Sequence, residues 1–300
     1  MRFLDILAPV FLIVLCGALL QRRARLDLQP LTISALYLFA PALTFSALIK
    51  QPLDGSALGR ISLYMLLYLA IMLLLAGLTG RLLGCDGDSR RALTLAAAMM
   101  NIGNFGLPLV YFAFGEAAVA TSILVFVLFS LPLGSLAIVI AQGSQADWRS
   151  ALRNSLQVPI IHAALLALLL QALHLQPPAW LLRPVDLLGQ AAVPVMLLLL
   201  GMQMARSRWQ QVGRLLPAAI SLRLLIGPLV GYGLCRLLQI EGLLRDVLLL
   251  QTSTPAAVLP LLYALRFGTR PDLLASAIIA TTALSALSLT ALLYLLPLLP

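Results

Sequence analysis

The sequence predicts an all-α polytopic membrane protein. Ten transmembrane helices are expected as two inverted five-helix repeats, with helices 4 and 9 broken and crossed. Three observations lead there. First, 61% of the 300 residues are hydrophobic and only 10% are charged, with a mean hydropathy of +1.01. A soluble domain carries about 25% charged residues, so this chain lacks the groups to build a water-facing surface. Second, apolar runs of about 20 residues, the length that crosses a bilayer, follow one another along the whole chain. Third, short patterns recur between the two halves at a nearly constant offset.

Charged or Pro/Gly-rich breaks delimit the spans. The first five are about 3–20, 30–49, 58–83, 91–114 and 117–141. The second five are about 152–174, 184–204, 213–237, 243–266 and 271–297. The widest connection, GSQADWRS from Gly143 to Ser150, divides the chain. The domain organisation expected is therefore residues 1–142, a cytoplasmic linker at 143–151, and residues 152–300. The apolar run Ile6 to Leu20 is followed, not preceded, by Arg22, Arg23 and Arg25. A signal peptide carries its charge ahead of the apolar run, so this run reads as the first membrane helix.

Basic residues set the orientation. One series of alternate loops holds 13 arginines, among them Arg22, Arg25, Arg90, Arg206 and Arg270; the other holds six basic residues, including Lys50 and Arg183. The richer side is expected to be cytoplasmic, which puts both termini outside a cell inner membrane. The net charge of +9 is thus an orientation signal. No basic cluster interleaves with aromatics, and no nucleic-acid partner is expected.

The halves read as repeats. GLPLVY, Gly106 to Tyr111, matches VLPLLY, Val258 to Tyr263, at an offset of 152 residues. Pro9 matches Pro159 at offset 150, and Pro41 matches Pro194 at offset 153. Five spans per half is an odd number, so the second half enters the membrane in the opposite sense, as inverted-repeat transporters do.

The stretch NIGNFGLP, Asn101 to Pro108, lies inside an apolar segment running from Ala92 to Phe114. At 1.5 Å per residue it falls near the middle of a ~30 Å hydrocarbon core. Proline costs a helix interior about 3 kcal/mol and glycine about 1 kcal/mol. Lipid offers no partner for the freed backbone groups, so broken backbone must be buried in protein or line a wet cavity. A helix restarting at mid-depth directs unpaired N–H groups and a positive dipole end at the protein centre. Two such helices of opposite sense, crossed, form a spot that favours an anion. Asn101 and Asn104 add side-chain donors, with Gly103, Gly106 and Pro108 opening the helix. Ser253 and Thr254 add hydroxyls from the second break, which Pro255 and Pro260 open. The alternative is that prolines and glycines only kink helices for packing.

The NxGNxGLP stretch, the second break TSTPAAVLP and the five-plus-five plan resemble the auxin efflux carrier family of secondary transporters, in its short bacterial form. The resemblance covers nearly the whole chain. It implies a fold similar to the sodium–bile acid symporters, a bile acid symporter-like or NhaA-like fold. It also implies export or exchange of a small organic anion, such as a mono- or dicarboxylate. Helices 1, 2, 6 and 7 would be a scaffold, also the place for a homodimer contact, and helices 3–5 and 8–10 a transport unit moving like an elevator. The long cytoplasmic loop of many plant members is absent.

Arg223 falls near mid-depth of the eighth span, nine residues past Arg214. It either neutralises a substrate carboxylate with its planar fork, or else snorkels to the cytoplasmic face or pairs with a backbone carbonyl. His162, Gln190 and Gln203 read as packing and interhelical hydrogen-bonding residues. No acidic residue falls at mid-membrane, so proton coupling through a buried carboxylate is not expected; uniport, or coupling through His162, stays open. Three separated cysteines and two histidines supply neither a metal site nor a cofactor site. They leave a membrane transferase little to work with, so an enzyme is not expected. An anion channel is the nearer alternative to a carrier.

Overall fold

The computed structural model describes residues 2–51 and 55–299. Among them the regular elements are all helical. In chain order they are α1 (Arg2–Ala24), α2 (Gln29–Lys50), α3 (Gly55–Leu82), α4 (Gly87–Ala98), α5 (Ile102–Phe114) and α6 (Glu116–Gln142). There follow α7 (Trp148–Leu156), α8 (Pro159–Ala172), α9 (Ala179–Arg206) and α10 (Leu215–Leu237), α11 (Gly242–Thr252), α12 (Leu259–Phe267) and α13 (Pro271–Leu298). Seven of these described helices are long and apolar enough to cross a membrane: α1, α2, α3, α6, α9, α10 and α13. Helices α5 and α8 are apolar but shorter.

Proline placement explains most departures from straight helix. Three π-helical turns occur, at Ala35–Phe39, Ile102–Gly106 and Leu222–Ile226. Each ends two residues before a proline, namely Pro41, Pro108 and Pro228. A proline ring clashes with the carbonyl four residues back and offers it no N–H. A wider turn relieves that clash at Tyr37, Asn104 and Leu224. The expected sixth span, 152–174, is a second case. It is two helices, α7 and α8, because Val158 before Pro159 takes an extended conformation (φ −69°, ψ 123°), as a residue preceding proline does. Helix α7 is amphipathic: Ala151 and Ser155 are buried, whereas Trp148, Leu152 and Leu156 are exposed along one stripe. It therefore takes residues 148–151 out of the expected linker and into a surface helix.

Two packing groups emerge. In one, α1 lies along the C-terminal half of α9, and α8 and the N-terminal half of α9 lie along the second half of α2. Gly17 and Gly201 make the first of these contacts possible. A Cβ on Gly201 would fall on the carbonyl of Val14, and one on Gly17 on the carbonyl of Leu198. In the other group α3 packs on α4, α4 on α13, α13 on the start of α10, and the end of α10 on α3 and α11.

Candidate functional site

Helix α4 stops at Ala98, and Met99 is extended (φ −91°, ψ 111°). The chain turns at Asn101 and resumes as the π turn that opens α5, where Gly106 N–H donates to Asn101 O at 2.9 Å. Helix α11 stops at Thr252, and residues 253–258 run without regular helix until α12. The two interruptions meet. Met100 and Ala256 form an antiparallel β-bridge. Asn101 N–H donates to Pro255 O at 2.9 Å, and Ala257 N–H donates to Met99 O at 2.9 Å. Backbone groups freed by one break are thus satisfied by the other, as a buried break requires. Ala256 N–H is taken by Thr281 Oγ1 of α13 at 3.1 Å.

Beneath the bridge sits Arg223, fully buried. Its Nη1 donates to Ala97 O at 2.9 Å, and its Nη2 donates to Thr252 O and to Tyr68 Oη, the latter at 2.6 Å. One guanidinium therefore holds the carbonyl ends of both α4 and α11. Tyr68 also donates to Thr252 O at 2.9 Å, and Tyr64 Oη meets Thr252 Oγ1 at 3.1 Å. Among the described residues Arg223 is the charged side chain bonded at this crossing, and it serves backbone carbonyls there. Of the roles open to it in the sequence, these contacts are those of pairing with backbone carbonyls, and its burial is not that of a snorkelling side chain.

The other expected site residues divide into bonded and unbonded groups. Thr254 is buried and donates back to Gln251 O at 2.7 Å. Pro108, Pro255 and Pro260 are buried. Gly106 is filled against: a Cβ there would strike Gln251 Oε1 and touch Thr254 Cγ2 at 3.0 Å. Asn101 is 5% exposed and Ser253 2% exposed, yet Asn101 Nδ2 and Ser253 Oγ have no hydrogen-bond partner. Gly103 and Asn104 are only half-buried. The site thus pairs two helix starts, whose first N–H groups lack intrahelical acceptors, with side-chain donors that the protein leaves free. His162 lies elsewhere, exposed on α8, with Nδ1 3.2 Å from Val158 O.

Sequence reasoning missed the layer around the crossing: Tyr64, Tyr68, Ser122, Gln251 and Thr281. Gln251 donates to Ser122 Oγ, and its Oε1 is unpartnered. Polar residues inside apolar spans were the available signal, since lipid makes them costly.

A cavity of about 540 Å³ opens between α2 and α9 on one side and α5 and α6 on the other, a size usual for small-molecule sites. Ser46, Lys50, Asp186 and Gln190 line it from α2 and α9, and Tyr111 and Glu116 from α5 and α6. Lys50 and Asp186 form an ion pair. Gln51 Nε2 donates to Glu116 O at 3.2 Å across the cavity's two walls.

Seven described helices long and apolar enough to cross a membrane mark a multi-pass membrane protein. Residues 145–293 match the family model described as membrane transport protein. The second half of the chain is therefore similar to this family of membrane transport proteins. It is 28% identical over 284 residues to an uncharacterized transporter of Methanothermobacter thermautotrophicus, covering 93% of this chain and 94% of that one. An uncharacterized transporter of Methanocaldococcus jannaschii is 24% identical over 268 residues, 84% of each chain. A probable auxin efflux carrier component, 1b, of Oryza sativa subsp. japonica is 26% identical over 134 residues, 44% of this chain and 24% of that protein. The protein is a transporter and not an enzyme.

Proposed function

We propose that the protein is a secondary carrier for a small organic anion, a mono- or dicarboxylate, working by elevator-type alternating access as an exporter or exchanger. One observation carries the reading. At the crossing, two helix starts converge with the unpartnered donors Asn101 Nδ2 and Ser253 Oγ, and Arg223 is the charged group bonded there. Donors without acceptors, a positive charge beneath them and positive dipole ends all favour an anion. Asn101, Gly103, Asn104, Gly106, Ser253 and Thr254 would surround it, with Pro108, Pro255 and Pro260 keeping the backbone open.

In this reading α4–α5 is one broken span and α11–α12 another, giving ten spans in two inverted repeats. The group built from α1, α2, α8 and α9 is the scaffold and a site for homodimer contact. The group built from α3–α6 and α10–α13 is the transport unit. The cavity between them, beside Lys50, is the outward vestibule, and both termini face outside the inner membrane. The test is a thermal-shift screen of purified protein against small carboxylates, followed by counterflow of the labelled hit in proteoliposomes. Saturable uptake accelerated by unlabelled substrate on the far side is the expected result. Conduction without counterflow would establish the channel reading, and stabilisation only by organic cations would end the anion reading.

A further inference from the structure

The C-terminal ends of α1 and α9 come together on the arginine-rich face and border a second, open cavity, about 580 Å³, lined by Gln21, Arg22, Arg25, Asp27 and Arg206. We propose that this cavity binds the headgroup of an anionic glycerophospholipid that bears a free hydroxyl, a lipid of the phosphatidylglycerol type.

Four observations support the assignment. Arg22, Arg25 and Arg206 are exposed, and none of their guanidinium groups makes a hydrogen bond or ion pair with another described residue. Three arginines elsewhere on the same face are engaged, Arg91 with Asp88, Arg270 with Asp272, and Arg214 with Leu83 O at 2.9 Å; what sets Arg22, Arg25 and Arg206 apart is that they line one cavity. The cavity's one carboxylate, Asp27, already accepts Gln29 N–H at 3.1 Å. Three guanidinium groups against one occupied carboxylate leave an excess of two positive charges, and their planar forks match phosphate oxygens.

Arg25 itself is strained. Its φ is 48°, and its N–H closes the end of α1 on Gln21 O at 2.9 Å. Glycine is the usual residue at such a left-handed helix end. A charged residue kept in a conformation costly for it points to a use for the side chain. Gln21 adds a further demand. It is 6% exposed, donates Nε2 to Leu26 O at 3.1 Å, and has its Oε1 buried with no partner. The phosphodiester of a glycerophospholipid has no O–H to give Oε1, whereas a hydroxyl on its headgroup does.

The position selects a lipid over a soluble phosphate. The cavity lies where two apolar spans end, and α1 below it presents the exposed stripe Leu12, Leu15 and Leu19 along which acyl chains can lie. Basic pockets between membrane helices at this level suit anionic headgroups. An orientation signal would ask only that arginines lie on this face. It would not require a concavity, a strained Arg25 or an unsatisfied Gln21.

The experiment uses the full chain in neutral detergent. Thermal unfolding and native mass spectrometry are recorded with phosphatidylglycerol, phosphatidic acid, phosphatidylcholine and inorganic phosphate. The expected order of stabilisation is phosphatidylglycerol, then phosphatidic acid, then phosphatidylcholine, with no effect of millimolar phosphate. Arg25→Gly removes backbone strain, so it should unfold at or above the wild-type temperature in detergent alone. It should nevertheless lose about tenfold or more in phosphatidylglycerol affinity, as should Arg206→Gln, because each removes a charge-assisted contact. Gln21→Met should erase the advantage of phosphatidylglycerol over phosphatidic acid. Wild-type lipid affinity in both arginine variants would overturn the site. Equal shifts from phosphatidylcholine, or from phosphate alone, would overturn the lipid class, and a persisting advantage in Gln21→Met would overturn the hydroxyl assignment.

Discussion

Arg223 shows what one residue does at a broken helix. The carbonyl end of a helix behaves as roughly half a negative charge, and two such ends, α4 and α11, meet at this guanidinium. Replacing Arg223 by Met leaves Ala97 O without its donor and Thr252 O with Tyr68 alone, so unfolding in detergent should be easier by about 1–3 kcal/mol, the cost of a buried acceptor left unpaired. Arg223→Lys should recover part of that, since an ammonium lacks the fork that reaches both carbonyls. Two variants as stable as wild type would show that the strap supports nothing. Asn104 makes the opposite case. It is half-buried and its side chain forms no hydrogen bond to another described residue, so Asn104→Ala should leave stability unchanged. If it donates to the bound carboxylate, a contact worth about 1.5–3 kcal/mol, affinity for the screened ligand should fall about 10- to 100-fold; unchanged affinity would make the crossing purely structural. The depth of Arg223 was legible in sequence from its distance to Arg214. Its partners were not, because they are backbone oxygens 126 and 29 residues away, and side-chain identity says nothing of them.

At the scale of elements, prolines were the readable signal, and hydrophobicity was the misleading one. NIGNFGLP announced the break between α4 and α5, and TSTPAAVLP the one between α11 and α12. The sixth span looked continuous because Ala151, Leu152 and Leu156 extend the apolar run, yet Pro159 ends it. The π turns before Pro41 and Pro228 leave no trace in hydropathy at all. What no pattern could reveal is that the two breaks pair. That pairing has a direct test. Met100 and Ala256 are opposed between the flanking hydrogen bonds, the narrow kind of antiparallel pair, whose Cα atoms lie about 4.5 Å apart. Met100→Cys with Ala256→Cys, in a chain whose Cys16, Cys85 and Cys235 are replaced, should therefore oxidise to a disulfide within one monomer. Two free thiols after oxidation in folded protein would refute the crossing. Gly106→Ala should destabilise by about 1–3 kcal/mol, as overpacking does, because its Cβ meets Gln251.

For the whole molecule, the cavity between α2 and α9 on one side and α5 and α6 on the other sets expectations for access. Gln190→Cys, exposed at the cavity of Lys50 and Asp186, should react with an impermeant thiol reagent added outside intact cells, and bound substrate should slow that reaction. Arg208→Cys should react only after the membrane is opened. Reversal of the two would invert the proposed orientation. The pairing of Met99–Asn101 with Pro255–Ala257 has a further consequence, for how the chain is made. A ribosome delivers residue 101 long before residue 255. Until then Met99 O and Asn101 N–H lack the partners they have in the finished protein, and lipid cannot supply substitutes. Closing a loop of that length comes late in folding, since the entropy of closure must be met before the contact repays it. The centre of the transporter is therefore among the last parts to form. A chain halted before α11 would keep an open break in its middle, however well its scaffold helices had inserted.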